Sequence, residues 1–221
     1  MAFVKRDDKD SEDRIGVRRH RILALTLTPL FTVLMILAAK IAIPLPFLPV
    51  TFQTTVAILA GLLLGARLGA LSQLLYLAMG LLGLPVFSQG GGPGYLFTGT
   101  FGYLLGFTAA AFITGMVSDR YERHLGKGIS ARYLPLCAIG LSGLFFVYVF
   151  GVFYLFFLSN VYTGYAGTKG TALATILFGA APYLLKDIAL TFLSAELARR
   201  LWRFRYSSRP SVTLSNHAER V

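Results

Sequence analysis

Pro44-Leu-Pro-Phe-Leu-Pro-Val-Thr-Phe-Gln53, followed by Gly83-Leu-Pro85, Gly90-Gly-Gly-Pro-Gly94 and Gly102-Tyr-Leu-Leu-Gly106, breaks an otherwise apolar chain with proline and glycine. Long apolar runs flank these segments. Hydrocarbon offers no partner to a freed N–H or C=O, so irregular backbone at membrane depth persists only where protein buries it or where it lines a cavity. Broken backbone between membrane spans therefore marks a ligand site.

Working outward, the 221 residues are 55% hydrophobic and 14% charged, with mean hydropathy +0.65. Soluble domains carry roughly 25% charged residues, so this chain belongs in a bilayer as a single membrane domain. The net charge of +11 does not indicate nucleic acid. Its basic residues gather in an N-terminal arm (Lys5 to Arg21), between Arg120 and Arg132, and in a tail from Arg199 to Arg209, each against the end of an apolar run. That is positive-inside bias. The single cysteine, Cys137, excludes an internal disulfide and a two-cysteine metal site. The polar arm and the spanning length of the first apolar run argue against a cleavable signal.

A span needs about 20 apolar residues. Residues 22–43, 52–64, 68–84, 100–117, 133–158 and 171–197 supply six, the second and third short and separated by the tight turn Gly65-Ala-Arg67. The expected architecture is all-α: a six-helix transmembrane domain (22–201) between a basic cytoplasmic arm (1–21) and a basic cytoplasmic tail (202–221), with both termini cytoplasmic. This is a multi-pass protein of a prokaryotic-type cell membrane, solvated by lipid. The two proline- and glycine-rich segments then fall on the outer face. Gly61 and Gly65, Gly102 and Gly106, and Ala38 and Ala42 have the spacing that lets helix backbones approach closely.

Polar groups within spans need a reason. Asp187 is the most informative, because a carboxylate in a span costs roughly 2.5–3.5 kcal/mol and normally faces an interior. It follows Lys186, which sits about 100° around the helix and is expected to snorkel outward, and which stands with Asp187 among the candidate ligand-binding residues. Gln53 opens the second span, where an amide either caps freed backbone or bonds a polar ligand. Ser72, Gln73 and Tyr76 cluster on the third span, serving a helix–helix contact or a ligand. Gly91 and Gly92, beside Gln89, belong to a glycine run read as a lid or a plain connector; no Gly-Lys-Ser/Thr follows, so it is not a Walker loop. No HExxH or GxSxG occurs, and His20, His124 and His217 lie in charged segments. The chain is not expected to be an enzyme, nor to hold a metal or resident cofactor.

The ordered succession Ile43-Pro-Leu-Pro-Phe-Leu-Pro-Val-Thr-Phe-Gln-Thr54, Ala60-Gly-Leu-Leu-Leu-Gly-Ala-Arg-Leu-Gly-Ala70, Gly83-Leu-Pro-Val-Phe87, the glycine run and Gly102-Tyr-Leu-Leu-Gly-Phe107 resembles the BioY family, the biotin-capturing S components of energy-coupling-factor (ECF) transporters. Pro182-Tyr-Leu-Leu-Lys-Asp187 resembles the last-helix segment that supplies the family's acidic ligand residue. The resemblance implies biotin capture on the outer side, then association with an ECF coupling protein and two cytosolic ATPase subunits. It implies that Asp187 accepts from the ureido N–H groups with Gln53 complementing it, that Tyr76 and Tyr103 flank the rings, and that residues 90–94 close above. Where the family carries a lysine three residues after the acid, this chain has Leu190; Gly99 and Phe101 also depart from the pattern, as do Val33, Leu34 and Ile36 in the first span. Rival readings are an S component for another vitamin and, from a different class, an intramembrane enzyme or scaffold subunit.

Overall fold

The computed structural model describes residues 22, 24–43, 50–125, 132–163, 169–202 and 205. The N-terminal arm, residues 44–49 and most of the tail, Arg203 and Arg209 included, lie outside the described residues. The fold is all-α. Helix α1 (Ala24–Lys40) leads into a two-residue antiparallel pairing of β1 (Ala42–Ile43) with β2 (Val50–Thr51), in register Ala42↔Thr51. Helices α2 (Gln53–Leu81), α3 (Phe101–Leu125), α4 (Tyr133–Thr163) and α5 (Lys169–Leu201) follow, with a 3-10 turn at Pro93–Phe97 between α2 and α3.

The helices turn the soluble-protein pattern inside out. Along α1 the buried residues Thr28, Phe31, Thr32, Met35 and Ala39 recur every three or four positions, while Leu30, Val33, Leu34 and Leu37 face outward. Along α5 the buried stripe is Asp187, Thr191, Ser194 and Ala198, and the exposed face is Leu185, Phe192 and Leu193. Polar groups inside and large apolar groups outside suit a hydrocarbon solvent. The buried hydroxyls bond back to carbonyls four residues earlier, Thr191 to Asp187 at 2.7 Å and Ser194 to Leu190 at 2.8 Å. By length and apolarity, Phe101–His124 and Tyr133–Ser159 each suffice to cross a membrane, as would Gln53–Leu81 were it not broken at Gly65.

Helix α2 is not a straight rod. Gly65 sits at φ 77°, ψ −179°, outside helical space. The side-chain amide of Gln53 donates to Tyr76 Oη at 2.9 Å, yet 23 residues of straight helix would separate them by roughly 35 Å. The chain therefore reverses at Gly65, at the tight turn expected between spans two and three. Sequence reading expects two helices joined by a tight turn there, and the two helical halves of α2 do meet at Gly65; with α2 counted as one element, the described residues form five α-helices. A Cβ at Gly69 would lie 3.0 Å from the Ala60 carbonyl, so the two halves pack backbone to backbone. Gly61 meets the Ala111 carbonyl of α3 and Gly106 the Val147 carbonyl of α4, at 2.6 and 2.8 Å from a built Cβ. Both spaced glycine pairs thus serve close helix crossings.

Three boundaries differ from expectation. Residues 118–125, read as loop, continue α3, because charged residues end a membrane span without ending a helix. Helix α5 runs on to Leu201, where Glu196 pairs with Arg199 and Arg200 at i+3 and i+4. Trp202 and Arg205, expected in the tail, pack against the domain: Trp202 joins the core around Leu62 and Leu136, and Arg205 is buried.

The glycine run is built rather than slack. Phe87, fully buried, wedges between Tyr76 and Tyr95 (ring centroids 5.3 and 4.5 Å) over Gly80. Gly92 N–H bonds the Gly80 carbonyl at 2.7 Å, satisfying an end-of-helix acceptor, and Lys40 Nζ donates to the Phe87 carbonyl at 3.0 Å. Gly92 holds φ 103°, and a Cβ on Gly91 would collide with the Leu84 carbonyl. Valine at both positions should lower the thermal midpoint in detergent by several degrees, because a β-branched residue at positive φ is a steric outlier; an unchanged midpoint would return the run to the role of a slack connector.

Candidate ligand site

A cavity with about 500 Å³ of empty space, including its open mouth, lies where the β1–β2 pairing, the start of α2, the 3-10 turn, the first half of α3 and the middles of α4 and α5 meet. The polar end is supplied by α5. Asp187 is 5% exposed, and its carboxylate is held from two sides. Tyr148 Oη donates to Oδ2 at 2.8 Å. Lys186 Nζ lies 2.7 Å from Oδ1, an ion pair without hydrogen-bond alignment, so Oδ1 is buried with no hydrogen-bond partner among the described residues. Lys186 does not snorkel. Its flexible stem curls inward, its side chain is 26% exposed, and Nζ donates to the Thr51 carbonyl at 2.9 Å. A residue 100° off the inward face reaches the pocket because four methylenes bridge the angle.

Gln53 and Thr54 also line the cavity, with Tyr95 and Thr100 from the loop side; Thr100 Oγ1 donates to Tyr95 Oη at 3.1 Å. Leu104 and Phe107 make an apolar flank. Tyr103 stands edge-on to Tyr148 (5.9 Å, 90°), and its hydroxyl is buried with no hydrogen-bond partner among the described residues. An unpaired hydroxyl away from water costs roughly 1–3 kcal/mol. Such a group is a ready partner for whatever enters. The site thus offers a carboxylate with an open lone pair, an ammonium beside it, an amide, a phenol and apolar walls. Few polar groups in an apolar recess is the ordinary chemistry of a small-molecule pocket. Among the described residues no cluster of His, Cys, Asp and Glu could hold a metal ion.

Of the residues expected from sequence, Asp187, Lys186, Gln53 and Tyr103 line the cavity. Tyr76 stands one layer behind, 2% exposed, and orients Gln53. Gln89 is exposed, and Gly91 and Gly92 shape the loop behind the lining residues. Leu190 is not part of the lining. Sequence reading missed Tyr148 and Tyr183. Tyr183 was within reach of it, four residues before Asp187 and hence on the same helix face. Tyr148 carried no such signal among the aromatics of α4. Thr51 was invisible in principle, since it acts through its backbone carbonyl.

An all-α protein with spans long and apolar enough to cross a membrane, and a mixed-polarity recess among its helices, has the architecture of a membrane-embedded binding protein. Comparison with known sequences makes this specific: the chain belongs to the BioY family, whose sequence model matches residues 11–207. A probable biotin transporter BioY of Lysinibacillus sphaericus is 37% identical over 205 residues, covering 93% of this chain and all of that protein. The biotin transporter BioY of Rhodobacter capsulatus is 33% identical, covering 83% and 95%. A crystal structure of the S-component for biotin from an ECF-type ABC transporter superposes with a TM-score of 0.69 at 25% identity, over 84% of this chain and 93% of that one. These relatives are transporters and not enzymes.

Proposed function

We propose that this protein captures biotin and serves its uptake as the substrate-binding subunit of an ECF-type transporter. The observation that carries the reading is the adjacent Lys186–Asp187 pair in the cavity lining, its Oδ1 without a hydrogen-bond partner among the described residues. One edge of a cyclic urea presents an N–H and a C=O side by side. A carboxylate oxygen and an ammonium 2.7 Å apart present the complementary acceptor and donor. Charge-assisted bonds of this kind are worth roughly twice neutral ones. Gln53 and the Tyr103 hydroxyl then meet the remaining polar atoms, and Leu104 and Phe107 meet the fused rings. Biotin is cargo here, and the reading needs no resident cofactor and no nucleic acid.

The membrane arrangement follows the same reading. The reversal at Gly65 gives α2 two crossings, so five helices make six, with both termini on the cytoplasmic side of the cell membrane and the cavity opening outward. Exposed Arg67, Arg120, Arg123, Arg132, Arg199 and Arg200 then share the inner face, as positive-inside bias requires. No ATP-binding motif is present in the sequence, so energy comes from partners: a transmembrane coupling protein and two cytosolic ATPase subunits. The test is direct. The purified protein in detergent should bind labelled biotin one to one. In a thermal-shift panel of biotin, thiamine, riboflavin and pantothenate, biotin alone should stabilise it; preferential stabilisation by another vitamin would reassign the pocket.

A further inference from the structure

Away from the pocket, the side chain of Arg205 is 1% exposed and all its nitrogens are engaged. Nε donates to the Leu62 carbonyl at 2.8 Å, Nη2 to Asp119 Oδ1 at 2.6 Å and Nη1 to Glu122, while the guanidinium lies 4.8 Å from the Trp202 ring centroid. Leu62 belongs to the last turn of α2 before its break, where carbonyls have lost their intrahelical donors. Arg205 supplies a donor there, and a cation at the negative end of a half-helix. Asp119 does the converse: Oδ2 accepts from Ala66 N–H at 3.2 Å, placing an anion at the positive end of the second half. One ion pair thus caps both sides of the reversal.

The helices so joined are those that supply the pocket's polar groups, Gln53 from α2 and Lys186 with Asp187 from α5. Near the pocket they are tied by Lys186 to the Thr51 carbonyl and by Ser194 to the Thr55 carbonyl at 3.4 Å. Arg205, just beyond the end of α5, makes the corresponding tie at the reversal. We infer that Arg205 is a positioning residue for the ligand pocket: a latch from the chain beyond α5 that clamps the α2 reversal and so fixes the spacing of α2 and α5 across the cavity. This rests on the biotin reading only for its second consequence.

The experiment compares the full chain with Arg205→Lys and Arg205→Met in detergent, by hydrogen exchange over residues 62–68 and by dissociation of labelled biotin. Arg205→Met should speed exchange at the reversal at least tenfold and biotin release at least fivefold, with binding stoichiometry unchanged. Arg205→Lys keeps the charge without the fork and should fall between. If Arg205→Met fails to fold, the Asp119→Asn, Glu122→Gln, Arg205→Met variant strands no charge and must show the same two changes. Native exchange at the reversal overturns the latch whatever the ligand. Fast exchange with native release overturns the positioning role. A native protein that binds no biotin refutes the functional reading and leaves the exchange result to decide the latch.

Discussion

Asp187→Asn should weaken biotin binding roughly tenfold to a hundredfold, about 1.4–2.8 kcal/mol, while leaving folded yield near native. The carboxylate oxygens differ: Oδ2 accepts from Tyr148, and Oδ1, beside the Lys186 ammonium, is buried with no hydrogen-bond partner among the described residues. An amide has one acceptor oxygen. Whichever way the asparagine flips, it either breaks the Tyr148 bond or turns an NH2 toward the ligand's own N–H. It also removes the partner of the Lys186 ammonium. Loss of a charge-assisted bond of this kind is worth roughly 1.5–3 kcal/mol. The fold should survive, because an amide of the same size is easier to bury than a carboxylate. Equilibrium binding of labelled biotin to the monodisperse variant decides it, and native affinity would remove Asp187 from the site.

How much of this pocket was legible in the sequence depends on which atoms do the work. A carboxylate in a span announces itself by its desolvation cost, and Gln53, beside the proline-rich break, announces itself by position. Tyr183 was readable from helical periodicity. Lys186 was legible as a candidate from its place beside Asp187, but its expected outward snorkelling was wrong, because its flexible stem curls inward to the Thr51 carbonyl. Tyr148 was hidden because an aromatic-rich span offers no contrast by which to choose one phenol. The glycine run was read as a lid or a connector; its packing depends on Phe87, whose wedge under the loop is a tertiary fact with no local signature. In the fold, hydropathy found the apolar stretches but misjudged where helices stop. The two short apolar runs flanking Gly65-Ala-Arg67 were legible as two helical segments joined by a tight turn, because the glycine marks where helical backbone must end.

That reversal carries the other large effect. Gly65→Val should destabilise the protein by roughly 3–5 kcal/mol, a large share of the 5–15 kcal/mol typical of a folded domain. Two terms add. At φ 77°, ψ −179°, a region essentially reserved for glycine, a residue with a Cβ costs about 1–3 kcal/mol, and β-branching makes it worse. The new Cβ would also stand 2.7 Å from Asp119 Oδ1, forcing that carboxylate off both the Ala66 N–H and Arg205. The second loss is of part-buried, charge-assisted hydrogen bonds, each worth up to roughly 1.5–3 kcal/mol. Gly65→Ala separates the terms, because alanine brings the Cβ without β-branching. Its folded yield and thermal midpoint should fall between native and valine. Size-exclusion yield and thermal midpoints of the three proteins give the order, and a valine variant as stable as native would mean the chain does not reverse at Gly65. Without that reversal Gln53 and Tyr76 could not meet, and the wall of the pocket that Gln53 supplies would not form.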